Sequence, residues 1–227
     1  MTLVFIHGAG FTGACFERQL QAFAGAHAPS MPGHCEPGAP ATIEDLALSI
    51  AFYAAHNDLS DIVLCGHSLG GAVALHIVLE QLLPVKKLVL LGSGAKLRVA
   101  NATFDSLERD FPEGARQLAG HFFADPVPAL VDWAVGSMLT VGAAQTIRDY
   151  RACNEFDVLD RLEEINVPLL ALTGENDVMT PPKYAQALAD RVQGAEARIV
   201  PAAGHFVMVE RPEETNEAIR AFLSGTG

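Results

Sequence analysis

Residues 61–71 read Asp-Ile-Val-Leu-Cys-Gly-His-Ser-Leu-Gly-Gly, and they are the most informative segment of the sequence about the fold. Its apolar beginning, Asp61–Cys65, predicts a buried strand, and the residues after it predict a helix that extends to about Leu83. Between the two lies a G-x-S-x-G pattern, which places a serine at a sharp strand-to-helix turn. The flanking glycines permit the tight turn, and the helix N-terminus favours negative charge beside the serine. Ser68 is therefore a candidate nucleophile.

Short apolar runs alternate with helical patterns on both sides of this stretch. Buried strands separated by helices are typical of α/β proteins with a parallel sheet and right-handed crossovers. The predicted strands are Thr2–Ile6, a weak one at His27–Ser30, Asp61–Cys65, Lys87–Leu91, Val167–Leu172 and Ala197–Val200. The predicted helices are Thr12–Phe23, one that Thr42 caps with Asp45 in its first turn, the one after Ser68, Pro181–Val192 and Pro212–Leu223. Residues 31–40 are rich in proline and glycine and are predicted to form a loop.

The pattern changes in residues 95–164, which show helical periodicity and no convincing strand. We therefore divide the chain into a core, residues 1–94 and 165–227, and a small helical insertion, residues 95–164. Three apolar stripes in the insertion are expected to pack over one end of the sheet. The stripes are Phe104, Leu107 and Phe111, then Leu118, Phe122 and Phe123, then Leu130, Trp133, Ala134 and Met138.

A serine nucleophile needs a base, and the base needs an orienting carboxylate. His205 follows the last predicted strand, and open parallel sheets hold their sites in loops at the carboxyl ends of strands. Asp177 lies in the loop after the preceding strand, where Glu175 is its rival. The sequence therefore predicts a triad of Ser68, Asp177 and His205.

Two backbone N–H groups are also needed, to bind the negative charge that develops on the oxygen of an attacked carbonyl. The first is the N–H of Leu69, directly after the candidate nucleophile. The second is expected from the loop after the first strand, His7-Gly8-Ala9-Gly10, with Ala9 as the donor. His7 itself is predicted to hydrogen-bond the loop backbone rather than to take part in catalysis.

Several of these motifs occur together and in order, and the chain resembles the α/β-hydrolase superfamily, in the group with a helical cap. They are His-Gly-Ala-Gly at 7–10, Pro-Gly-His at 32–34, Gly-His-Ser-Leu-Gly-Gly at 66–71, Gly-Glu-Asn-Asp at 174–177 with Thr-Pro at 180–181, Ala-Gly-His at 203–205 and Glu-Arg-Pro-Glu at 210–213. The family's usual Asp-x-Pro-Gly-x-Gly reads Ser-Met-Pro-Gly-His-Cys at 30–35, so the conformation of that loop is not fixed by the resemblance.

The resemblance implies an α/β-hydrolase fold, a mostly parallel sheet flanked by helices with a small helical cap, and a serine hydrolase that cleaves carboxylic esters. Because the insertion is short, we expect it to cover a compact pocket and the esters to be of small to medium size. No cofactor and no metal are implied. We expect a largely apolar pocket under the cap. Its expected substrate-binding residues are Phe11, His67, Trp133, Val178 and Phe206.

Composition limits the partners of the chain. Its 227 residues carry a formal net charge of −12, so neither nucleic acid nor an anionic membrane surface is an expected partner. The four cysteines show no regular spacing, and the first residues lack the basic segment of a signal peptide, so a cytoplasmic location is expected. The predicted partner is a small-molecule ester, and a homodimer stays open.

The same triad supports other chemistry, since fold does not determine substrate. Lactonase, acyl-carrier methyl esterase, carbon–carbon bond hydrolase and a lyase of menaquinone synthesis are open alternatives. A non-catalytic small-molecule receptor is an alternative of another class. Turnover of a p-nitrophenyl ester separates a catalyst from a receptor.

Overall fold

Five parallel strands form one sheet in the order β1-β2-β3-β4-β5 in a computed structural model that describes residues 1–35 and 42–225. The strands are β1 (Thr2–Ile6), β2 (Ile62–His67), β3 (Val85–Leu91), β4 (Leu169–Gly174) and β5 (Glu196–Val200). Every residue of β2 and β4 is buried, which explains why both read as continuous apolar runs. The predicted loop is described for residues 31–35, and its remainder lies outside the described residues.

Helices flank the sheet. In the core they are α1 (Glu17–Ala22), α2 (Ile43–His56), α3 (Leu69–Leu79), α8 (Lys183–Arg191), α9 (Val207–Glu210) and α10 (Pro212–Ser224). Helix α2 begins at the predicted cap, where the Thr42 side chain accepts from the Asp45 N–H and Asp45 accepts from the Thr42 N–H. Helix α3 contacts β1, β2 and β3, so the turn before it is held at the centre of the sheet.

A 3-10 helix, Leu159–Glu164, and before it four α-helices lie between β3 and β4. The four α-helices are α4 (Asn101–Arg109), α5 (Phe111–Ala119), α6 (Pro128–Val141) and α7 (Ala143–Glu155). Two of the three predicted apolar stripes do not lie on a single helix. Phe111 begins α5 instead of ending α4, because Asp110 is extended and its side chain caps α5 by accepting from the Glu113 N–H. Phe122 and Phe123 lie beyond the end of α5, in the segment that contacts the His205 loop.

The weak strand predicted at His27–Ser30 is wrong, because only His27 pairs with the sheet, beside Val4. The His27 N–H donates to Leu3 and the His27 carbonyl accepts from Phe5. The next ladder bond would need a donor at Pro29, which has no N–H. Pairing therefore stops after one residue.

Two predicted helices also differ in their extent. The helix predicted over Thr12–Phe23 is a 3-10 helix, Gly13–Phe16, followed by the short α1. The helix after the G-x-S-x-G turn ends at Leu79 instead of Leu83, and Gln81 just beyond it has a φ of +52°. Within the described residues no helix is both long enough and apolar enough to cross a membrane.

Candidate active site

The turn between β2 and α3 holds Ser68 in a strained conformation, with φ of +51° and ψ of −116°. Such backbone strain in a residue other than glycine clusters at functional sites. A Cβ at Gly66 or Gly70 would overlap backbone atoms of Gly70 or Ile6, so both positions must be glycine. Ser68 is half-buried while its neighbours on both sides are buried. The turn thus presents the serine side chain at the carboxyl edge of the sheet.

His205 and Asp177 meet at the same edge, from the loops after β5 and β4. The His205 Nδ1–H donates to Asp177 Oδ2 at 2.9 Å, and both side chains are almost completely buried. A carboxylate can only accept here, so the proton of the neutral imidazole lies on Nδ1 and Nε2 is left as the basic nitrogen. These two predicted residues are therefore brought together in the pairing that a general base requires.

Asp177 is held as a carboxylate by its surroundings. Burial alone would raise its pKa, but the electrostatic interaction with His205 and several hydrogen bonds bring the pKa of Asp177 down to about 2. Oδ1 accepts from the Met179 and Thr180 N–H groups at 2.8 Å each. Oδ2 accepts from the Thr180 hydroxyl at 2.8 Å and the Thr173 hydroxyl at 3.1 Å. The carboxylate is thus fixed in both position and charge.

The rival carboxylate, Glu175, takes no part in this pairing. Its side chain is exposed, and its Oε2 accepts from the Ala202 N–H at 3.3 Å.

The histidine loop is fixed by Glu210 and by the segment after α5. Glu210 accepts from the Gly204 N–H at 2.7 Å through one oxygen and from the Ala124 N–H at 2.8 Å through the other. The His205 N–H donates to the Phe122 carbonyl at 2.8 Å. The orientation of His205 therefore depends on residues of the helical insertion as well as on the core.

The two N–H groups predicted to bind a carbonyl oxygen lie on either side of the site. In the described part of the chain, the N–H groups of Ala9 and Leu69 have no hydrogen-bond acceptor. Close approach of the two segments is shown at Gly8, where a Cβ would lie 3.3 Å from the Ser68 Cβ. The binding of a carbonyl oxygen by these two N–H groups stays a prediction.

His7 anchors the first of these segments, as predicted. Its Nδ1–H donates to the Gly8 carbonyl at 3.0 Å, and its Nε2 accepts from the Met31 N–H at 2.9 Å. Both contacts suit a neutral ring, and burial, with the nearby His34 charge, lowers the pKa of His7 to about 3. The prediction that His7 hydrogen-bonds the loop backbone is confirmed.

Three of the five predicted substrate-binding residues form one aromatic cluster. Phe11 lies 4.6 Å from Phe206 and 5.4 Å from Trp133 between ring centroids. Phe122 joins this cluster, and its ring centroid lies 6.2 Å from that of His205. An apolar wall therefore borders the candidate base.

The other two predicted residues are placed differently. The His67 ring packs on this wall, with its centroid 4.5 Å from that of Phe206. His67 is fully buried and its Nε2–H donates to the His205 carbonyl at 3.1 Å, which ties the end of β2 to the histidine loop. Val178 is 63% exposed. Its predicted contact with a substrate stays a prediction.

Sequence reasoning missed Thr173 and Thr180 as partners of the carboxylate. Both lie within four residues of Asp177 in the sequence, so their proximity to the carboxylate was predictable. The direction in which their hydroxyl groups point was not. Across the described residues, no three His, Cys, Asp or Glu side chains are grouped so that they could hold a metal ion.

Known proteins resemble the chain over nearly its full length. A pimeloyl-[acyl-carrier protein] methyl ester esterase of Vibrio cholerae is 29% identical, over 93% of this chain and 89% of its own. A protein of Rhizobium rhizogenes for which carbamate hydrolysis has been proposed is 27% identical, over 98% of this chain and 92% of its own. Among solved structures, that of a thermophilic esterase is 28% identical and superposes with a TM-score of 0.90, covering 99% of this chain and 90% of that one.

The family itself is shown by a match to a family model. The sequence model of the alpha/beta hydrolase family matches residues 3–218, which include all five strands of the sheet except Thr2 and the loops that hold Ser68, Asp177 and His205. This chain belongs to the alpha/beta hydrolase family.

Proposed function

We propose that the chain is a serine hydrolase of small to medium carboxylic esters. The observation that carries the proposal is the hydrogen bond from His205 Nδ1 to Asp177 Oδ2, formed beside the strained turn of Ser68. A nucleophile, an oriented base and a buried carboxylate are the parts that acyl transfer requires. The named esterases among the similar proteins support the same reaction class.

In the proposed mechanism, Ser68 Oγ attacks the ester carbonyl carbon while His205 Nε2 takes its proton. Asp177 stabilises the imidazolium that forms, because its carboxylate already accepts the Nδ1–H. The N–H groups of Ala9 and Leu69 bind the negative oxygen. His205 returns the proton to the leaving alcohol, and water activated by the same nitrogen then releases the acyl group from Ser68.

A methyl ester carried on an acyl carrier protein is the second candidate, because the Vibrio cholerae relative is named for that substrate. We expect a carrier-protein partner to dock on a basic surface. Most cations of the insertion are already paired with carboxylates. The pairs are Lys96–Asp157, Arg116–Asp132, Arg151–Glu108 and Arg161–Glu164. This neutralisation, with a net charge of −12, favours a free ester.

The test measures turnover of p-nitrophenyl esters with two to twelve acyl carbons, alongside lactones, thioesters, vinylogous diketones and a carrier-bound methyl ester. We expect kcat/KM to be highest for short and medium acyl chains. Ser68→Ala should abolish turnover without loss of fold, and an organophosphonate should label Ser68 at one equivalent. Full turnover by Ser68→Ala, or labelling of another serine, would contradict the proposal. Activity confined to one of the other substrate classes would identify the corresponding alternative on the same triad.

A further inference from the structure

A buried polar cluster lies between helix α7 and the loop that carries Ala9. Its centre is the carboxylate of Asp149, which is 0% exposed. Three N–H donors converge on this carboxylate. Oδ2 accepts from the Gly10 N–H at 2.8 Å and from His34 Nε2 at 2.8 Å, and Oδ1 accepts from Gln145 Nε2 at 2.8 Å. The cluster thus joins α7, the loop after β1 and the segment that follows Ser30.

The surroundings of His34 make it a cation. Its Nε2 faces a carboxylate, and its Nδ1 faces the carbonyls of Met31 and Pro32 at 3.1 Å each. All of these groups accept, so both ring nitrogens carry protons. Burial alone would lower the pKa of His34, but the hydrogen bond and charge of Asp149 and the two carbonyls raise it above the usual histidine value. Asp149 and His34 therefore form a buried ion pair.

These contacts fix two consecutive peptide units beside the candidate nucleophile. The Gly8 carbonyl and the Ala9 N–H belong to one planar trans peptide, so they point in opposite directions. The His7 ring holds that carbonyl. The Gly10 N–H belongs to the next peptide, and Asp149 holds it. Because both planes are held, the direction of the Ala9 N–H is set before any substrate arrives.

The loop has no room to take another position against α7. Gly10 has a φ of +72°, and a Cβ there would lie 2.9 Å from Met138 Cγ and 3.0 Å from Thr146 Cγ2. The backbone of the loop therefore packs directly on α6 and α7. A change in the hydrogen bonds to α7 should be transmitted to this backbone.

We propose that Asp149 is a positioning residue that acts through Gly10 and His34 to aim the Ala9 N–H at the reacting carbonyl oxygen. This inference rests on the proposed function, and it assigns to the helical insertion a part in the rate of reaction as well as in the pocket. Donors that bind charge in the transition state raise kcat more than they tighten substrate binding. Replacing Asp149 should therefore lower kcat and leave KM nearly unchanged.

The test is Asp149→Asn. The amide oxygen can occupy only one of the two oxygen positions, so the variant loses either the contact to Gln145 or the contacts to Gly10 and His34. In both orientations the negative charge that pairs with His34 is removed, and with it the ion pair that holds the loop. Deleting an oxyanion donor costs about 10²–10³ in kcat, and a misdirected donor should cost about 10- to 100-fold. We expect KM to stay within about threefold, and a boronic acid transition-state analogue to bind more weakly by a factor similar to the loss in kcat.

The matched control is Glu108→Gln, which removes a carboxylate partner of α7 on its exposed side, where Arg151 pairs with it. It should leave kcat and analogue binding unchanged. Circular dichroism and the melting temperature establish that each variant is folded. If Asp149→Asn does not fold, His34→Gln takes its place, because it removes the charge of the pair and keeps a donor. A smaller loss of kcat at unchanged KM is then expected.

A wild-type kcat in the folded variant, or a rise in KM at unchanged kcat and analogue binding, would overturn the role of Asp149. Ser68→Ala in the same assay separates this from failure of the proposed function. If that variant keeps full turnover, the proposed function fails, whatever Asp149 does. If it is inactive while folded Asp149→Asn has a wild-type kcat, only the positioning role fails.

Discussion

Among single residues, Asp177 gives the sharpest test of the proposed triad. Two backbone N–H groups donate to Oδ1, so an amide at this position would keep its oxygen there and place its NH2 against His205 Nδ1. That contact favours the wrong tautomer of the imidazole. Asp177→Asn should preserve the fold and lower kcat by about 10⁴, the loss seen in the serine-protease template. The exposed Glu175 serves as the control, and Glu175→Gln should be nearly neutral in kcat. The reverse ranking of the two variants would assign the acid to Glu175.

Thr180 should matter for stability, because its buried hydroxyl donates to Asp177 Oδ2. Hydrogen bonds to charged groups contribute about 1.5–3 kcal/mol, so Thr180→Val should lower the free energy of unfolding by about that amount. Urea unfolding between pH 5 and 8 measures it, since Asp177 is ionised throughout that range. Thr140→Val is the control, because Thr140 is exposed on α6 and should change little. If both substitutions lower the free energy of unfolding equally, the hydrogen bond from Thr180 to Asp177 does not stabilise the fold as predicted.

The residues expected to carry chemistry were predictable because each has a local signature. Ser68 lies between a strand and a helix, and Asp177 and His205 each follow a strand at the carboxyl edge. Asp149 has no such signature, since it meets Gly10 across a separation of 139 residues. Its helix shows an ordinary polar stripe in the sequence, and only the packing of α7 on the loop reveals that this stripe is buried.

At the scale of elements, strands were easier to predict than the ends of helices. A strand buried on both faces reads as an apolar run, and Thr2–Ile6 was predicted with its observed bounds. Helix ends depend on contacts that sequence does not display, such as the turn at Gln81 that stops α3. The weak strand after α1 failed at Pro29 through a missing donor. The apolar pattern alone could not exclude this strand, because it does not show which backbone groups can donate a hydrogen bond.

Helix α6 contributes Trp133 to the aromatic wall beside His205, and this placement predicts a change in substrate preference. The half-buried ring packs on Phe11 and Phe206. Each acyl methylene that the wall buries is worth up to about 0.8 kcal/mol, or roughly fourfold in kcat/KM. Trp133→Ala should therefore lower the hexanoate-to-acetate ratio of kcat/KM for p-nitrophenyl esters.

The matched control for the tryptophan is Leu139→Ala, on the same helix but 46% exposed. It should leave the hexanoate-to-acetate ratio unchanged. If Trp133→Ala lowers only the melting temperature and keeps that ratio, the ring serves the packing of the insertion and not the pocket.

At the scale of the whole molecule, three buried histidines change the stability of the fold with pH, and they do not all act in the same direction. His7 and His67 are kept neutral, and burial, as the main cause, lowers the pKa of each. His34 is kept charged by Asp149, and its pKa is raised. Its stabilising contribution is therefore complete below the unfolded pKa of about 6.5 and is lost as pH rises through the folded value.

The two neutral histidines act in the other direction. In the unfolded chain His7 takes up a proton as pH falls below about 6.5, whereas in the folded chain its pKa is about 3. The free energy of unfolding therefore falls as pH falls from about 6.5 to about 3. At pH 5, which lies about 1.5 pH units below the unfolded pKa of His7, the loss of stability from His7 is roughly 2 kcal/mol. The free energy of unfolding in urea, measured at pH 7.5 and 5.0, should therefore fall less in His7→Gln than in the unsubstituted protein. His121→Gln, at an exposed position, is the control and should keep the original pH response. An identical fall in all three proteins would mean that His7 takes up a proton in the folded state, and the neutral anchor of the Ala9 loop would have to be abandoned.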